Sequence, residues 1–225
     1  MRIGIVTLFP QMFAVLDSDG VIGRARSAGK WSLDCYNPRS YTSDVHHTVD
    51  DQPYGGGPGM VLKPEPLAAA IDAARANLGA ARVTFLSPSG RRLDDSLARA
   101  LAGEGEHIFL CGRYQGIDER IVASRVDRQV SVGDFVVSGG ELPAMLLIDA
   151  MVRFLPGVLG SEESLAAESF AAGSLAAPCY TRPAVFEGME VPEQLRGGDH
   201  RQISDWRRQA AARRQKEGSA KPDGI

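Results

Sequence analysis

The sequence has no long hydrophobic run, and this absence argues against a membrane-spanning helix. No segment approaches the roughly 18 uninterrupted apolar residues that a membrane-spanning helix needs. The apolar opening "MRIGIVTLFPQMFAVL" is interrupted by Pro10, is followed by Asp17 and Asp19, and has no small-x-small cleavage site. It therefore predicts a strand and a turn and not a signal peptide. We expect a cytoplasmic globular protein.

Cysteine is scarce, and the common nucleotide-binding motifs do not fit. Cys35, Cys111 and Cys179 are widely spaced, with no C-x-x-C pair and no histidine at metal-ligand spacing. This pattern predicts reduced thiols and no structural metal. The glycines at 138–141 lack the offsets of the dinucleotide motif G-x-G-x-x-G, and the phosphate loop G-x-x-x-x-G-K-[ST] does not occur.

A strong overall charge is also lacking, because the formal net charge is only −3. The charge is uneven, however: from Arg196 to Lys216 there are seven Arg or Lys residues against two Asp residues. A mildly acidic body with a basic C-terminal helix suits a polyanionic partner. Taken alone, the same run fits a solvated charged face equally well.

Strand-like and helix-like segments alternate along the chain, which favours an α/β fold with a mostly parallel sheet covered by helices on both faces. Short buried strands are predicted at 2–8, 82–87, 107–112 and 128–137, and the clearest helices at 64–78 and 141–154. The helix over 141–154 is apolar on nearly every side. Such a helix is buried either in its own core or against a second subunit, so we expect a dimer.

The residue composition changes after "FLPG". The sequence there is rich in Gly and Ala and has little periodicity, which is typical of a linker or mobile loop. A second, smaller unit is expected from about Tyr180. The predicted organisation is a main domain over 1–160, a mobile linker over 161–179, a small helical C-terminal domain over 180–216 and a disordered tail over 217–225.

Glycine, proline and charged residues crowd together in four loops, at 54–60, 86–93, 111–120 and 131–143. Each loop alone is more typical of a tight structural turn than of a site. The last three, however, follow predicted strands of one parallel sheet, and loops at such strand ends meet in a single ligand-binding cleft. We therefore expect them to form one site.

Several of these stretches carry a resemblance to a known family. "DDQPYGGGPGM", "CGRYQGIDER", "VGDFVVSGGELPAMLLIDAMVRFLPGVLG" and "YTRP" resemble the bacterial tRNA (guanine-N1)-methyltransferases, in the right order from Met1 to about Arg208. The resemblance implies methyl transfer from S-adenosylmethionine to N1 of guanine-37 in tRNA, immediately 3′ of the anticodon. It also implies a SPOUT methyltransferase fold with a C-terminal trefoil knot, and a homodimer with active sites at its interface.

The family's cofactor-binding positions map onto the three predicted cleft loops. By resemblance they wrap the adenosine largely through backbone groups, with Gly139 and Gly140 keeping one wall free of side chains. The implied residues are Leu86, Ser87, Pro88, Gly112, Tyr114, Gly116, Val132, Gly133, Asp134, Phe135, Val136, Val137, Gly139, Gly140 and Pro143.

Two residues are implied for catalysis. Arg153 matches the family's arginine that stabilises charge on guanine O6, although a helix C-terminal cation is the alternative. Glu168 stands where better-known members have the aspartate that takes the N1 proton, and its alternative is a solvated loop glutamate. The sequence also departs from more typical members at Ala177, where they are acidic, and at Cys179, where they have histidine.

Contacts to the anticodon arm of tRNA are implied for residues in two regions. Asp50 and His46 lie in or near the "TVDD" segment, and Arg182, Arg207 and Arg208 lie in the basic C-terminal part, where Trp206 is expected to pack the helix down. Two alternatives stay open: a non-catalytic RNA-binding protein of the SPOUT fold, and a SPOUT methyltransferase that acts on another RNA.

Overall fold

The chain divides into two units, Met1–Leu159 and Gly160–Ile225, in the computed structural model. The structure describes residues 1–160, 165, 168–170 and 173–219, and for 218 and 219 the backbone alone. No helix in this part of the chain is long and apolar enough to cross a bilayer. The predicted finer division into linker, C-terminal domain and tail falls partly outside the described residues and stays a prediction.

The first unit is built on a parallel sheet with the strand order β2–β1–β6–β5–β7. The strands of the unit are β1 (Arg2–Val6), β2 (Ser32–Tyr36), β3 (Asp50–Asp51), β4 (Val61–Leu62), β5 (Arg82–Arg92), β6 (Glu106–Cys111) and β7 (Arg128–Ser131), of which β3 and β4 form a separate antiparallel hairpin. The predicted α/β class with a parallel sheet is confirmed.

Helices cover both faces of this sheet. They are α1 (Gly20–Ser27), α2 (Pro64–Leu78), α3 (Asp95–Ala102), α4 (Glu119–Arg125) and α5 (Glu141–Val152), with 3-10 turns at Pro10–Leu16 and Pro38–Tyr41. Because side chains alternate along a strand, Phe109 of β6 packs with α1, α3 and α5, whereas its neighbour Ile108 packs with α2 and α4. The core therefore consists of two apolar layers, one on each side of the sheet.

The two predicted helices are found. α2 spans the predicted residues, with Pro64 at its first position, where the missing N–H costs nothing. α5 begins at Glu141 as predicted but ends at Val152, with Arg153 as its C-cap. One side of α5 is fully buried, whereas Leu142 and Leu146 are 53% and 52% exposed in the single chain. Its apolar surface is thus only partly covered.

One strand prediction needs correction, and the edge strand of the sheet was not predicted. The strand predicted over 128–137 ends at Ser131, because the Ser131 side chain bonds both the N–H and the C=O of Gly133 and replaces the ladder there. Beyond it, Phe135 and Val136 are 57% and 83% exposed. The edge strand β2 was not predicted, because "SLDCY" is only half-buried and mixes polar with apolar residues.

Strand β5 is longer than predicted and carries an irregularity. Both Leu86 and Arg91 align with Val130 of β7, so residues 87–90 bulge out of the ladder. A Cβ on Gly90 would lie 2.4 Å from the Val130 backbone nitrogen, which leaves room for glycine alone. The bulge pushes Ser87 and Pro88 away from the sheet at its carboxyl edge.

The second unit contains a short hairpin and two helices in its described residues. These are β8 (Val185–Phe186), β9 (Met189–Glu190), α6 (Glu193–Arg196) and α7 (His200–Ser219). Asp199 begins α7 by accepting the N–H groups of Arg201 and Gln202, and these bonds lower the pKa of its carboxyl group. Trp206 meets Tyr180 edge-to-face at 6.0 Å, as expected for a residue that packs the helix down. The helix continues through Ser219, into the segment predicted to be a disordered tail.

Candidate functional site

A cavity of about 440 Å³ lies at one edge of the sheet, beside β5, β6 and β7. Its walls are the bulged part of β5 and the loops that follow β6 and β7, because the carboxyl ends of parallel strands share one edge of the sheet. They are the loops predicted at 86–93, 111–120 and 131–143, so their convergence on one cleft is confirmed. The fourth loop, 54–60, contacts the loop at 111–120, because the Gln115 N–H donates to the Met60 carbonyl at 3.0 Å.

The cavity wall is mostly backbone and apolar side chain. Phe135, Val136, Val137 and Pro143 supply apolar surface, and glycines from two loops leave the backbone accessible. Polar side chains include Ser87, Ser89 and Gln129, whose hydroxyl and amide groups are joined by bonds of 2.8 and 3.0 Å. Among the described lining residues the charged ones are Arg113 and Glu119. Such a lining suits a nucleoside-like ligand without phosphate.

The structure brings the implied cofactor residues together, with one exception. All of them line the cavity except Asp134. The Asp134 side chain is 90% exposed and lies 3.6 Å from the Arg92 guanidinium. The structure therefore does not place Asp134 on the cavity, although its neighbours Gly133 and Phe135 are there. That these residues bind a cofactor remains a prediction.

Positions 139 and 140 require glycine for a reason that the sequence did not reveal. A Cβ on Gly139 would lie 2.3 Å from Arg113 Nε, and a Cβ on Gly140 would lie 2.7 Å from Cys111 Cα. The Gly140 N–H also donates to the Gly112 carbonyl at 2.9 Å. Close approach of two protein loops therefore requires these glycines, in addition to any ligand.

A buried ion pair beside the cavity was missed by the sequence reasoning. Glu141 is fully buried, with its Oε2 atom 2.9 Å from Arg113 Nε, an ion-pair distance without hydrogen-bond alignment. Its Oε1 atom accepts the Thr7 hydroxyl at 2.8 Å. The sequence feature that could have indicated this pair is a carboxylate at the start of an otherwise apolar helix. A carboxylate at that position is equally expected simply because it interacts favourably with the helix dipole.

The two implied catalytic residues belong to different units. Arg153 is half-buried at the end of α5 in the first unit. Glu168, in the second unit, lines a concavity of about 1170 Å³ together with Arg182, Arg207 and Arg208. The predicted proton acceptor and the predicted tRNA-binding arginines of the C-terminal part thus share one surface. Ala177 and Cys179, the positions that depart from typical members, also line it.

The remaining implied RNA-binding residues lie in the first unit. His46 is exposed, and Asp50 is half-buried in β3 beside the glycine-rich loop at 54–60. The arginines implied for tRNA binding belong to the second unit.

Comparison with known proteins identifies the family. A family model described as tRNA (guanine-1)-methyltransferase TrmD matches residues 1–223. The chain belongs to this family. It is 53% identical over 208 residues to the tRNA (guanine-N(1)-)-methyltransferase of Serratia proteamaculans, a match covering 92% of this chain and 82% of that protein. The Pasteurella multocida protein of the same name is 52% identical, with 92% and 85% covered.

A solved TrmD-family structure has the same fold. The structure described as tRNA (m1G37) methyltransferase from Aquifex aeolicus superposes with a TM-score of 0.79 at 36% identity, covering 100% of this chain and 94% of that chain. The resemblance drawn from the motifs is therefore confirmed. In this TrmD-family chain, "CGRYQGIDER" and "VGDFVVSGGELP" supply two of the three walls of the cavity.

The thiols of this TrmD-family chain are all free, as predicted. Burial raises the pKa of Cys35 to about 11, and burial followed by the nearby Glu141 carboxylate raises the pKa of Cys111 well above its usual value. Both thiols are therefore protonated at neutral pH and are poor nucleophiles. The described residues contain no cluster of His, Cys, Asp or Glu with the geometry of a metal site.

Proposed function

We propose that this chain transfers a methyl group from S-adenosylmethionine to N1 of guanine-37 in tRNA. The observation that carries the proposal is the position of two of the family's motif blocks, "CGRYQGIDER" and "VGDFVVSGGELP", which meet at a neutral, glycine-rich cavity at the carboxyl edge of the sheet. The two alternatives, a non-catalytic RNA-binding protein and a methyltransferase for another RNA, are not favoured, because the family match covers nearly the whole chain.

The cavity fits S-adenosylmethionine in size and in chemistry. Its volume of about 440 Å³ lies within the usual range of small-molecule sites. The bare backbone of Gly112, Gly139 and Gly140 can face the adenine edge, and the hydroxyls of Ser87 and Ser89 are placed to bond polar groups of the ligand. When bound, this ligand supplies an electrophilic sulfonium methyl group.

The reaction needs two further groups from the protein. With the donor bound, methyl transfer to N1 would leave the electron pair of the broken sulfur–methyl bond on the donor's sulfur, and N1 would lose its proton. The Glu168 carboxylate accepts that proton, and the Arg153 guanidinium donates to O6, where negative charge builds up. The target base leaves its stack to reach this position.

A homodimer would complete the site. The exposed side of α5, with Leu142 and Leu146, and the exposed Phe135 and Val136 of the adjoining loop form apolar surface that a second copy would cover. In this arrangement the first unit of one protomer, with the trefoil knot of the SPOUT fold, holds the donor. The partner's C-terminal unit brings Glu168.

The C-terminal unit is proposed to grip the anticodon arm. Arg182, Arg207 and Arg208 line one concavity, and α7 adds further basic residues that would neutralise phosphates. His46 and Asp50 of the first unit would lie near the tRNA at the mouth of the site. A tRNA substrate is consistent with a cytoplasmic location.

Methyl incorporation into two tRNA transcripts tests this function. We expect the purified chain to methylate a transcript with guanine at position 37 and not a matched transcript with adenine there. Equal incorporation into both would point to another target position. Binding of the transcripts without any incorporation would favour the non-catalytic alternative.

A further inference from the structure

The buried carboxylate of Glu141 connects three separate parts of the first unit. Its Oε1 atom accepts the hydroxyl of Thr7, just beyond β1, at 2.8 Å, and its Oε2 atom lies 2.9 Å from Nε of Arg113, just beyond β6. Glu141 itself begins α5, directly after Gly140. The Thr7 hydroxyl in turn accepts the Phe9 N–H at 2.9 Å. A single carboxylate thus joins the segments that follow two neighbouring strands to the loop that follows β7.

Arg113 transmits this connection to the cavity wall. Its guanidinium donates to the Ser138 carbonyl at 3.3 Å, lies 4.4 Å from the centre of the Phe9 ring, and packs directly on Gly139. Arg113, Ser138 and Gly139 all line the cavity, whereas Glu141 does not. The carboxylate therefore acts on the cavity through Arg113 and not by contact with a ligand.

The charge arrangement explains why a carboxylate is needed at this position. The Arg113 side chain is only 16% exposed and Glu141 is fully buried, so each charge relies on the other for compensation. An amide in place of the carboxylate would present an N–H group or a neutral oxygen to Arg113, and the guanidinium would lose its counter-ion. Arg113 would then be drawn towards water, away from Ser138 and Gly139.

We propose that Glu141 is a positioning residue, which holds Arg113 against the 138–140 turn and thereby keeps the donor-binding cavity in its binding shape. This inference rests on the proposed binding of S-adenosylmethionine in that cavity. It assigns Glu141 no contact with substrate and no proton transfer. Its loss is expected to weaken donor binding much more than it slows methyl transfer at saturating donor.

Glu141→Gln is the direct test, with calorimetric titration of S-adenosylhomocysteine as the probe. We expect roughly a tenfold loss of affinity or more, the size of effect that removing a residue that orients a metal ligand has on metal affinity. The Michaelis constant for the donor should rise by a similar factor, with kcat changed little. Thr7→Val removes one bond to the same carboxylate but no charge, and should give a smaller loss of affinity.

Glu104→Gln is the matched control for a merely structural effect. Glu104 pairs with Arg128 at the opposite, amino-terminal end of the strands and does not line the cavity. This variant should unfold at a lower temperature than the wild type and bind S-adenosylhomocysteine with unchanged affinity. The comparison separates a loss of stability from a loss of cavity shape.

The outcomes are distinct. Wild-type affinity in folded Glu141→Gln protein would overturn the positioning role. If Glu141→Gln does not fold, unchanged affinity in Thr7→Val would overturn it instead. If the wild-type protein itself fails to bind S-adenosylhomocysteine, the proposed donor is wrong, and the role of Glu141 in holding its site is refuted with it.

Discussion

His107 should make the stability of this protein depend on pH in a window where few other groups titrate. Its side chain lies fully buried in β6 and stacks on Phe109 with the ring centres 5.6 Å apart. Burial lowers the pKa of the His107 imidazole to about 4, against the opposing effect of the Glu104 carboxylate 4.0 Å away. The folded protein therefore keeps this imidazole neutral at pH values where the unfolded chain protonates it.

The sign and size follow from the two pKa values. Because the folded pKa is about 4 and the reference value is 6.5, the contribution to stability is complete above pH 6.5. It is lost as the pH falls from 6.5 towards 4, since the unfolded chain then binds the extra proton. Between pH 7 and pH 4.5 the free energy of unfolding should fall by about 2 kcal/mol from this residue alone.

Urea unfolding of the wild type and of His107→Leu at several pH values between 4.5 and 7 measures the contribution of His107 to the free energy of unfolding. The leucine side chain is apolar, of similar volume and unable to titrate, so the difference between the two curves isolates the imidazole. The other three histidines are exposed and are common to both proteins. A pH dependence that is the same in both proteins would refute the reasoning, because the buried imidazole would then contribute nothing.

Three further predictions concern the proposed function. Glu168→Gln should slow single-turnover methyl transfer by roughly 10²- to 10⁴-fold with donor binding intact, whereas Glu168→Asp should keep substantial activity; parental rates in Glu168→Gln would place the base elsewhere. Neutralising Arg207 and Arg208 should weaken tRNA binding and reduce its salt dependence by about one to two ions; an unchanged slope would mean a solvated face. Leu146→Glu should convert a sedimenting dimer into a 24.1 kDa monomer, and a wild-type monomer would contradict the shared site.

Local sequence patterns predicted those elements whose signals lie in residues close together in the sequence. The prolines at the start of α2 and the alanine-rich turns after them mark a helix in the local sequence. The same holds for the apolar strands β1 and β6, which alternate with helices and so require a parallel sheet. The motif blocks were also visible locally, and they carried the family and the place of the cleft.

Tertiary contacts determined where strand β7 ends. "VGDFVV" has the apolar residues of a buried strand. In the structure, however, the Ser131 hydroxyl forms hydrogen bonds with the Gly133 backbone, and residues of this segment line the cavity. The edge strand β2 shows the reverse case. Its residues have a weak pattern, and pairing with β1 along its whole length makes it a strand.

The sequence by itself determined the fold class, the best helices, the family and nearly all of the cavity wall, because each of these is encoded in a contiguous stretch. Only the tertiary structure revealed that Asp134 points to solvent, that Gly140 must be bare to pass Cys111, and that Glu141 is buried against Arg113 and Thr7. These facts depend on segments that are up to 134 residues apart in the chain and meet at the edge of the sheet. No local pattern encodes such a meeting, since it is set by the register and order of the strands that carry the loops.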